Sequence, residues 1–492
     1  MAFDQMPRLS RTGSVPKVGL VHFGPGAFFR AFTAVYTHEA MAAAGGDWGI
    51  TAVSLKSPRA REQLKPQGYV YTAIERAAKS ETARLITSVA DVLVAPEDPG
   101  AVISVLANPA IKVVTLTITE KGYGFDPVSG GLDRSHPDIV ADLGGVHAPR
   151  SAMGFLLAGL AARKENDTPP FTVLSCDNLP SNGHVTRRIL LEFAQAVQPE
   201  LSSWIETKVS FPSTMVDRIT PATQDEDIKA LAKRKGYRDE ALVVHEPFRQ
   251  WVIEDSFNSD RPAWENAGAQ FVESVDAHET MKLRCLNGTH SALAYLGYLA
   301  GHETIADAVA QPDFEALCQR LWHDEILPTV PPPEDEDLAA YVQALMVRYR
   351  NPNIRHRTWQ IAMDGSQKLP QRILGTVRDR LAAGVVPLGL CLVVAAWMRY
   401  SGGVDEVGKR IDVRDPLAER LHAASERGAT PEEKVSGLLA IEEVFGTDLP
   451  NANLFRDAVT DAYVRLVDHG ATESVALTLE QMGRSSYSPT KA

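Results

Sequence analysis

Lys17-Val-Gly-Leu-Val-His-Phe23, followed at once by Gly24-Pro-Gly-Ala-Phe-Phe-Arg30 and a helix-like pattern to Met41, decides how this chain is read. An apolar strand, a glycine turn and a helix, in that order, form the first unit of a dinucleotide-binding fold. Gly24 and Gly26 let the backbone approach a pyrophosphate, with Ala27 and Phe28 opening the helix and Arg30 adding positive charge. Phe29 stands where the third glycine of G-x-G-x-x-G is expected, so a plain tight turn fits these residues equally well.

Outward from this turn, residues 48–55 read as a second strand, which ends in Lys56-Ser-Pro-Arg59 where such folds place an acidic residue for the ribose. Residues 69–74 and 84–89 alternate like antiparallel strands, 100–107 like a helix and 112–118 like a buried strand. A helix over 150–164 leads to a strand over 171–175, which delivers Cys176-Asp-Asn178 at its carboxyl end, where open α/β sheets bind ligands. A helix over 182–197 follows, then a strand over 211–219 carrying Asp217, which next to Arg218 also reads as a structural ion pair. From Glu279 helical periodicity dominates, over 286–300, 305–322, 338–348, 374–383, 388–400, 435–444 and 454–467. The expected fold is α/β, with a Rossmann-like domain over 1–278 and a mostly α-helical domain over 279–492. Residues 331–337 read as a surface loop inside the helical domain, and 485–492 as a frayed tail.

Composition narrows the function. A chain of 492 residues exceeds one comfortable core, and 44% apolar content is ordinary for a globular protein. Fifty basic against 62 acidic side chains give a net charge of −12, which argues against a nucleic-acid partner. Cys176, Cys285, Cys318 and Cys391 form no Cys-x-x-Cys, so neither a zinc knuckle nor a disulfide framework is expected. The first 15 residues lack a signal-peptide core, and no stretch approaches the roughly 18 to 20 apolar residues of a membrane span. A cytoplasmic protein without a membrane partner is expected, as a monomer or small homo-oligomer.

The chemistry concentrates in Met281-Lys-Leu-Arg-Cys-Leu-Asn-Gly-Thr-His290. Its lysine, asparagine and histidine can supply a proton acceptor, an oxyanion donor and an orienting group. Other dehydrogenase patterns fail: Tyr-x-x-x-Lys occurs only at Tyr487 to Lys491, interrupted by Pro489, and Gly301-His-Glu303 lacks the cysteines of a zinc site. No metal is expected. Asn287 and His290 share a helical face, whereas Lys282 lies about 140° from Asn287 on a regular helix. Either the helix begins after Lys282 or the lysine reaches around. On spacing alone, a solvated lysine, a capping asparagine and a core histidine form the simpler reading.

Taken together, Gly24-Pro-Gly-Ala-Phe-Phe-Arg-Ala31, Thr117-Ile-Thr-Glu-Lys-Gly-Tyr123, Ser175-Cys-Asp-Asn-Leu-Pro180, Met215-Val-Asp-Arg-Ile219, Glu246-Pro-Phe248 and Lys282-x-x-x-x-Asn287-x-x-His290 resemble the polyol-specific long-chain dehydrogenases, the mannitol dehydrogenase family. The stretches 246–255, 281–284 and 355–372 look closest to its fructuronate-reducing members. The resemblance implies NAD-dependent, metal-independent hydride transfer between D-mannonate and D-fructuronate. Its alternative is a polyol dehydrogenase that turns mannitol or arabinitol into a ketose. A non-catalytic dinucleotide sensor is the rival from another class, and the joint presence of Lys282, Asn178 and Asn287 counts against it.

By matching position, the resemblance makes Lys282 the general acid/base, Asn178 and Asn287 the oxyanion-stabilising pair and His290 the substrate-orienting histidine. Glu279 matches a carboxylate for proton passage, and Asp217 and Lys368 match contacts to substrate hydroxyls. Oxidation needs a neutral amine, and a lysine near pKa 10.4 in water must be lowered by burial or neighbouring cations such as Arg284 and His290. A sugar acid also needs a cation for its carboxylate, for which Arg284, Arg355 and Arg357 are candidates; surface pairing with acids such as Asp364 is the alternative. Three positions depart from the family pattern. No acidic pair stands around Ser57-Pro58, Phe32 replaces a histidine and Gln360 an arginine. Lys56 and Arg59 imply NADP use beside NAD, unless Glu75 supplies the missing carboxylate.

Overall fold

The computed structural model describes residues 3–126, 129–145 and 147–485; the tail from 486 and the Tyr487–Lys491 pattern lie outside the described residues. Two compact units divide the chain, Met1–Asp276 and Ala277–Ala492.

The described strands are β1 (Val18–Phe23), β2 (Gly49–Ser54), β3 (Tyr71–Arg76), β4 (Glu81–Ile86), β5 (Val89–Val94), β6 (Val113–Leu116), β7 (Thr172–Ser175), β8 (Thr214–Asp217), β9 (Val243–His245), β10 (Gln250–Glu254) and β11 (Gln270–Val272). Five of them form an all-parallel sheet in the order β5-β2-β1-β6-β7. Parallel strands are covered by helices on both faces, which is why these segments read as unbroken apolar runs. Successive residues feed opposite cores. Val21, Val114 and Val173 pack with the helices Pro99–Ala107, Ala152–Glu165 and Asn182–Val197, whereas Leu20, Val113 and Leu174 pack on the other side with Thr33–Ala44. The strand order reverses between β1 and β6, so their carboxyl ends flank the switch point where such sheets bind ligands.

Two three-stranded sheets complete the first unit, β11-β10-β8 and β4-β3-β9. The alternation over 69–74 and 84–89 corresponds to β3 and β4, which pair antiparallel from Tyr71–Ile86 to Arg76–Glu81.

The second unit is helical among its described residues, but its helices are more broken than their periodicity suggested. The stretch 305–322 divides into Ile305–Val309, Pro312–Arg320 and a π-helix, Leu321–Ile326, because Pro312 can only start a helix. The final helix, Asn453–Ser485, turns at Gly470 (φ 75°), and the loop 331–337 ends in Asp337, which caps Leu338–Tyr349 through the N–H groups of Ala339 and Ala340. No described helix is long and apolar enough to cross a membrane.

Arg163 ties the first unit together from inside. It is 1% exposed, donates to the carbonyls of Leu106 (2.7 Å), Asn108 (2.6 Å), Ile111 (2.8 Å) and Pro169 (2.6 Å), and lies 4.9 Å from the Phe171 ring. Arg163→Ala would strand several buried acceptors, each worth about 1–3 kcal/mol, so urea unfolding should show a loss of at least about 3 kcal/mol. A loss below about 1 kcal/mol would mean that water satisfies these carbonyls.

Candidate active site

The glycine turn is built for close approach. Gly24 has φ 94°, and a Cβ there would lie 2.0 Å from Thr117 O. Gly26 is exposed, and its Cβ position is open, with Gly24 O the nearest atom at 3.9 Å. Gly26 precedes the helix Ala27–Ala31, whose first N–H groups, at Ala27 and Phe28, lack intrahelical partners. This turn fits a dinucleotide pyrophosphate resting against Gly26.

Phe29 explains the missing third glycine. Its ring stacks on His22 of β1 (3.8 Å, 14°), so an aromatic layer replaces close helix–strand contact. His22 meets Thr115 Oγ1 (2.7 Å), Gly24 O (3.1 Å) and Thr117 Oγ1 (2.9 Å), and burial pulls its pKa down to about 3. Arg30 lies in the last turn of the short helix Ala27–Ala31. It donates to Ala241 O (2.6 Å) and Gly26 O (3.3 Å), bracing the turn from the protein side. Phe32 sits in an aromatic cluster with Phe28, Tyr36 and Trp251.

At the end of β7, Asp177 joins two of the sequence motifs. It accepts from the N–H groups of Ile118 (2.8 Å) and Thr119 (3.1 Å) and from Tyr123 Oη (2.9 Å), holding Thr119 at φ 64°. Burial pushes its carboxyl up to about 6 against these bonds. The next residue, Asn178, is exposed beyond the strand end. Asp217 ends β8 and is buried. Its neighbour Arg218 donates to Ala31 O (2.7 Å) and Glu246 O (3.2 Å), with Glu75 at 3.8 Å. Glu75 sits on β3 beside Arg218. After β2, Lys56 and Arg59 are exposed around a turn closed by Ser54 Oγ to Ser57 O (2.6 Å).

In the second unit the segment Lys282–Gly288 is a π-helix, preceded by Asp276–Met281, which carries Glu279, and continued by the α-helix Thr289–Leu299. This resolves the problem of the lysine. A π-helix bonds i→i+5, so Lys282 and Asn287 stand one turn apart on one face, where an α-helix would separate them by about 140°. Both are buried, at 8% and 7% exposure, and so is His290 at 6%. Asn287 Nδ2, His290 Nε2 and His356 Nδ1 are buried without a hydrogen-bond partner, and the two imidazoles meet edge to face at 5.1 Å. A bound ligand could supply hydrogen-bond partners to these atoms.

Positive charge surrounds these imidazoles. Burial, with His356, Arg348 and Arg372, holds His290 well below its usual range; burial, Arg348, Lys368 and Arg372 take His356 to about 4. Both rings are neutral at pH 7. The arginines singled out from sequence lie elsewhere. Arg284 donates to Thr329 O (2.9 Å) and to Asp379 (2.5 Å), while Arg355 and Arg357 are exposed beside Glu303, at 3.4 and 3.6 Å. Arg348 lies in none of the quoted motifs, and Arg372 closes the 355–372 stretch without being singled out there; their effect on His356 points to them. Lys368 donates to Met363 O (2.5 Å) and Ile361 O (3.3 Å). Among the described residues, no three His, Cys, Asp or Glu side chains group as metal ligands.

Comparison with known proteins agrees with this geometry. Residues 18–266 match the mannitol dehydrogenase Rossmann domain, and 274–467 match the mannitol dehydrogenase C-terminal domain. D-mannonate oxidoreductase of Escherichia coli (strain K12) is 47% identical over 464 residues, covering 93% of this chain and 95% of that protein. Mannitol 2-dehydrogenase of Aspergillus terreus is 40% identical over 472 residues, covering 94% and 93%. The solved Pseudomonas fluorescens mannitol 2-dehydrogenase, a ternary complex with NAD and D-mannitol, superposes with a TM-score of 0.86 at 38% identity, over 97% of this chain and 98% of that one. Two domain models in register and near-complete coverage establish that this chain belongs to the mannitol dehydrogenase family of oxidoreductases.

Proposed function

We propose that the chain is an NAD-dependent oxidoreductase that interconverts D-mannonate and D-fructuronate, with Lys282 as acid/base. The observation that supports the sugar acid is the positive charge of Arg348, Lys368 and Arg372 that lowers the pKa of His356, whose ring meets His290 at 5.1 Å. A carboxylate loses its hydration on burial and needs such cations, whereas a neutral polyol does not. The 47% identity to a D-mannonate oxidoreductase supports the same reading.

The Gly24–Gly26 turn would hold NAD, which when bound would supply the hydride acceptor. The chain's own groups manage the proton and the charge. In oxidation Lys282 Nζ takes the hydroxyl proton, and in reduction it returns a proton to the carbonyl oxygen. Asn287 Nδ2 and the Asn178 amide are assigned to the oxygen as its negative charge develops, and Glu279, one turn before Lys282, to proton exchange with solvent. His290, neutral and buried, orients a substrate hydroxyl without adding charge. Asp217 and Lys368 are assigned to the remaining hydroxyls.

Lys282→Ala should lower turnover by roughly 10² to 10⁴ while leaving NAD affinity intact. Near-normal turnover would sink the acid/base assignment. On substrate, D-fructuronate should be reduced with a higher kcat/KM than D-fructose, and Arg348→Gln or Arg372→Gln should narrow that gap chiefly by damaging the uronate reaction. Charge-assisted contacts are worth about 1.5–3 kcal/mol, or roughly ten- to more than a hundredfold in that ratio. An enzyme that prefers fructose or another neutral ketose would instead be a polyol dehydrogenase acting on mannitol or arabinitol. With Lys56 and Arg59 exposed and no acid after β2, NADP should be turned over measurably beside NAD, and Arg59→Glu should depress the NADP rate first. NADP wholly inactive under matched conditions would refute the dual use.

A further inference from the structure

The π-helix is the less common register, so something must hold it against reversion to an α-helix. Its carbonyls show what does. Cys285 O accepts from Thr289 Oγ1 (2.6 Å) and Trp322 Nε1 (2.9 Å), and Leu286 O accepts from Tyr349 Oη (3.0 Å). Tyr349 Oη and Thr289 Oγ1 also lie 2.7 Å apart, so either hydroxyl can donate to the other in place of its carbonyl. All three side chains are fully or almost fully buried, and each comes from a different element: Thr289 starts its own α-helix, Trp322 lies in the π-helix Leu321–Ile326 and Tyr349 ends Leu338–Tyr349. The rings form a layer behind the segment, with Tyr349 4.8 Å from His290 and stacked on Trp322 at 6.0 Å and 22°.

A second contact limits any shift of the segment. A Cβ on Gly288 would lie 3.0 Å from Arg372 O, so the end of the segment rests directly on the backbone of a third π-helix, Pro370–Leu374. That helix has its own local cause, since Pro370 has no N–H to donate to the preceding turn.

We propose that the hydroxyls of Tyr349 and Thr289 and the indole N–H of Trp322 are positioning groups that lock residues 282–288 in the π register and so keep Lys282 on the face of Asn287. The inference rests on Lys282 being the acid/base. It goes beyond that reading by assigning the alignment to side chains that carry no charge and take no part in proton transfer.

The test uses the full-length enzyme. Tyr349→Phe keeps the ring stack and removes one hydroxyl; Thr289→Val keeps the shape and removes the other; Thr289→Ser restores it. The first two should lower kcat roughly ten- to a hundredfold, the effect of a misplaced catalytic group, with KM for NAD unchanged within about twofold and the pH profile of kcat displaced. Thr289→Ser should stay near wild type. In Lys282→Ala rescued by methylamine, where the amine is untethered, adding Tyr349→Phe should change the rescued rate by less than about twofold. Wild-type kcat and pH profile in both hydroxyl variants would overturn the proposal, as would the same fold-loss in the methylamine-rescued background. A fully active Lys282→Ala would remove the acid/base reading itself, whereas an inactive Lys282→Ala beside normal hydroxyl variants would remove only the positioning role.

Discussion

A helix that bonds i→i+5 brings residues five apart onto one face, and the geometry of the second unit depends on that. Lys282 and Asn287 belong together only in this register, with His290 three residues further on. At the change back to α, Cys285 O and Leu286 O accept from the buried hydroxyls and indole, Leu286 O also from the Thr289 N–H. The hydrogen-bond requirement of a few buried carbonyls thus links the register to the packing of three separate helices.

Electrostatics follows from burial in the same region. His290 and His356 are kept neutral by lost hydration and by cations nearby, so neither contributes charge at pH 7. The positive charge belongs instead to Arg348, Arg372 and Lys368, which titrate far above that range in water.

The first unit solves a different problem, that of bringing backbone close to a large anion. Gly24 is required by the approach of Thr117, and Gly26 is open on its outer side. Arg30 donates to the backbone carbonyls of Gly26 and Ala241. Asp177 couples the β6 and β7 strand ends by accepting three hydrogen bonds across them.

Local sequence determined a good deal of this. The strand–glycine–helix order, the unbroken apolar runs of the central sheet and the helical second half were legible because each reflects which faces of an element are buried. The ordered motifs from Gly24 to His290 carried the family, which the matched domains now establish. Three things were decided only by tertiary structure. The π register of Lys282–Gly288 is supported by donors 37 and 63 residues away in sequence, and local spacing pointed to an α-helix. The cations around His356 are Arg348, Lys368 and Arg372; Arg355 and Arg357 flank it in sequence yet face Glu303. Arg30, read as a phosphate ligand, also donates to the carbonyl of Ala241. The physical reason is common to all three: sequence pattern records which side of an element is buried, but the partner that satisfies a charge or a hydrogen bond is chosen by packing between segments far apart in the chain.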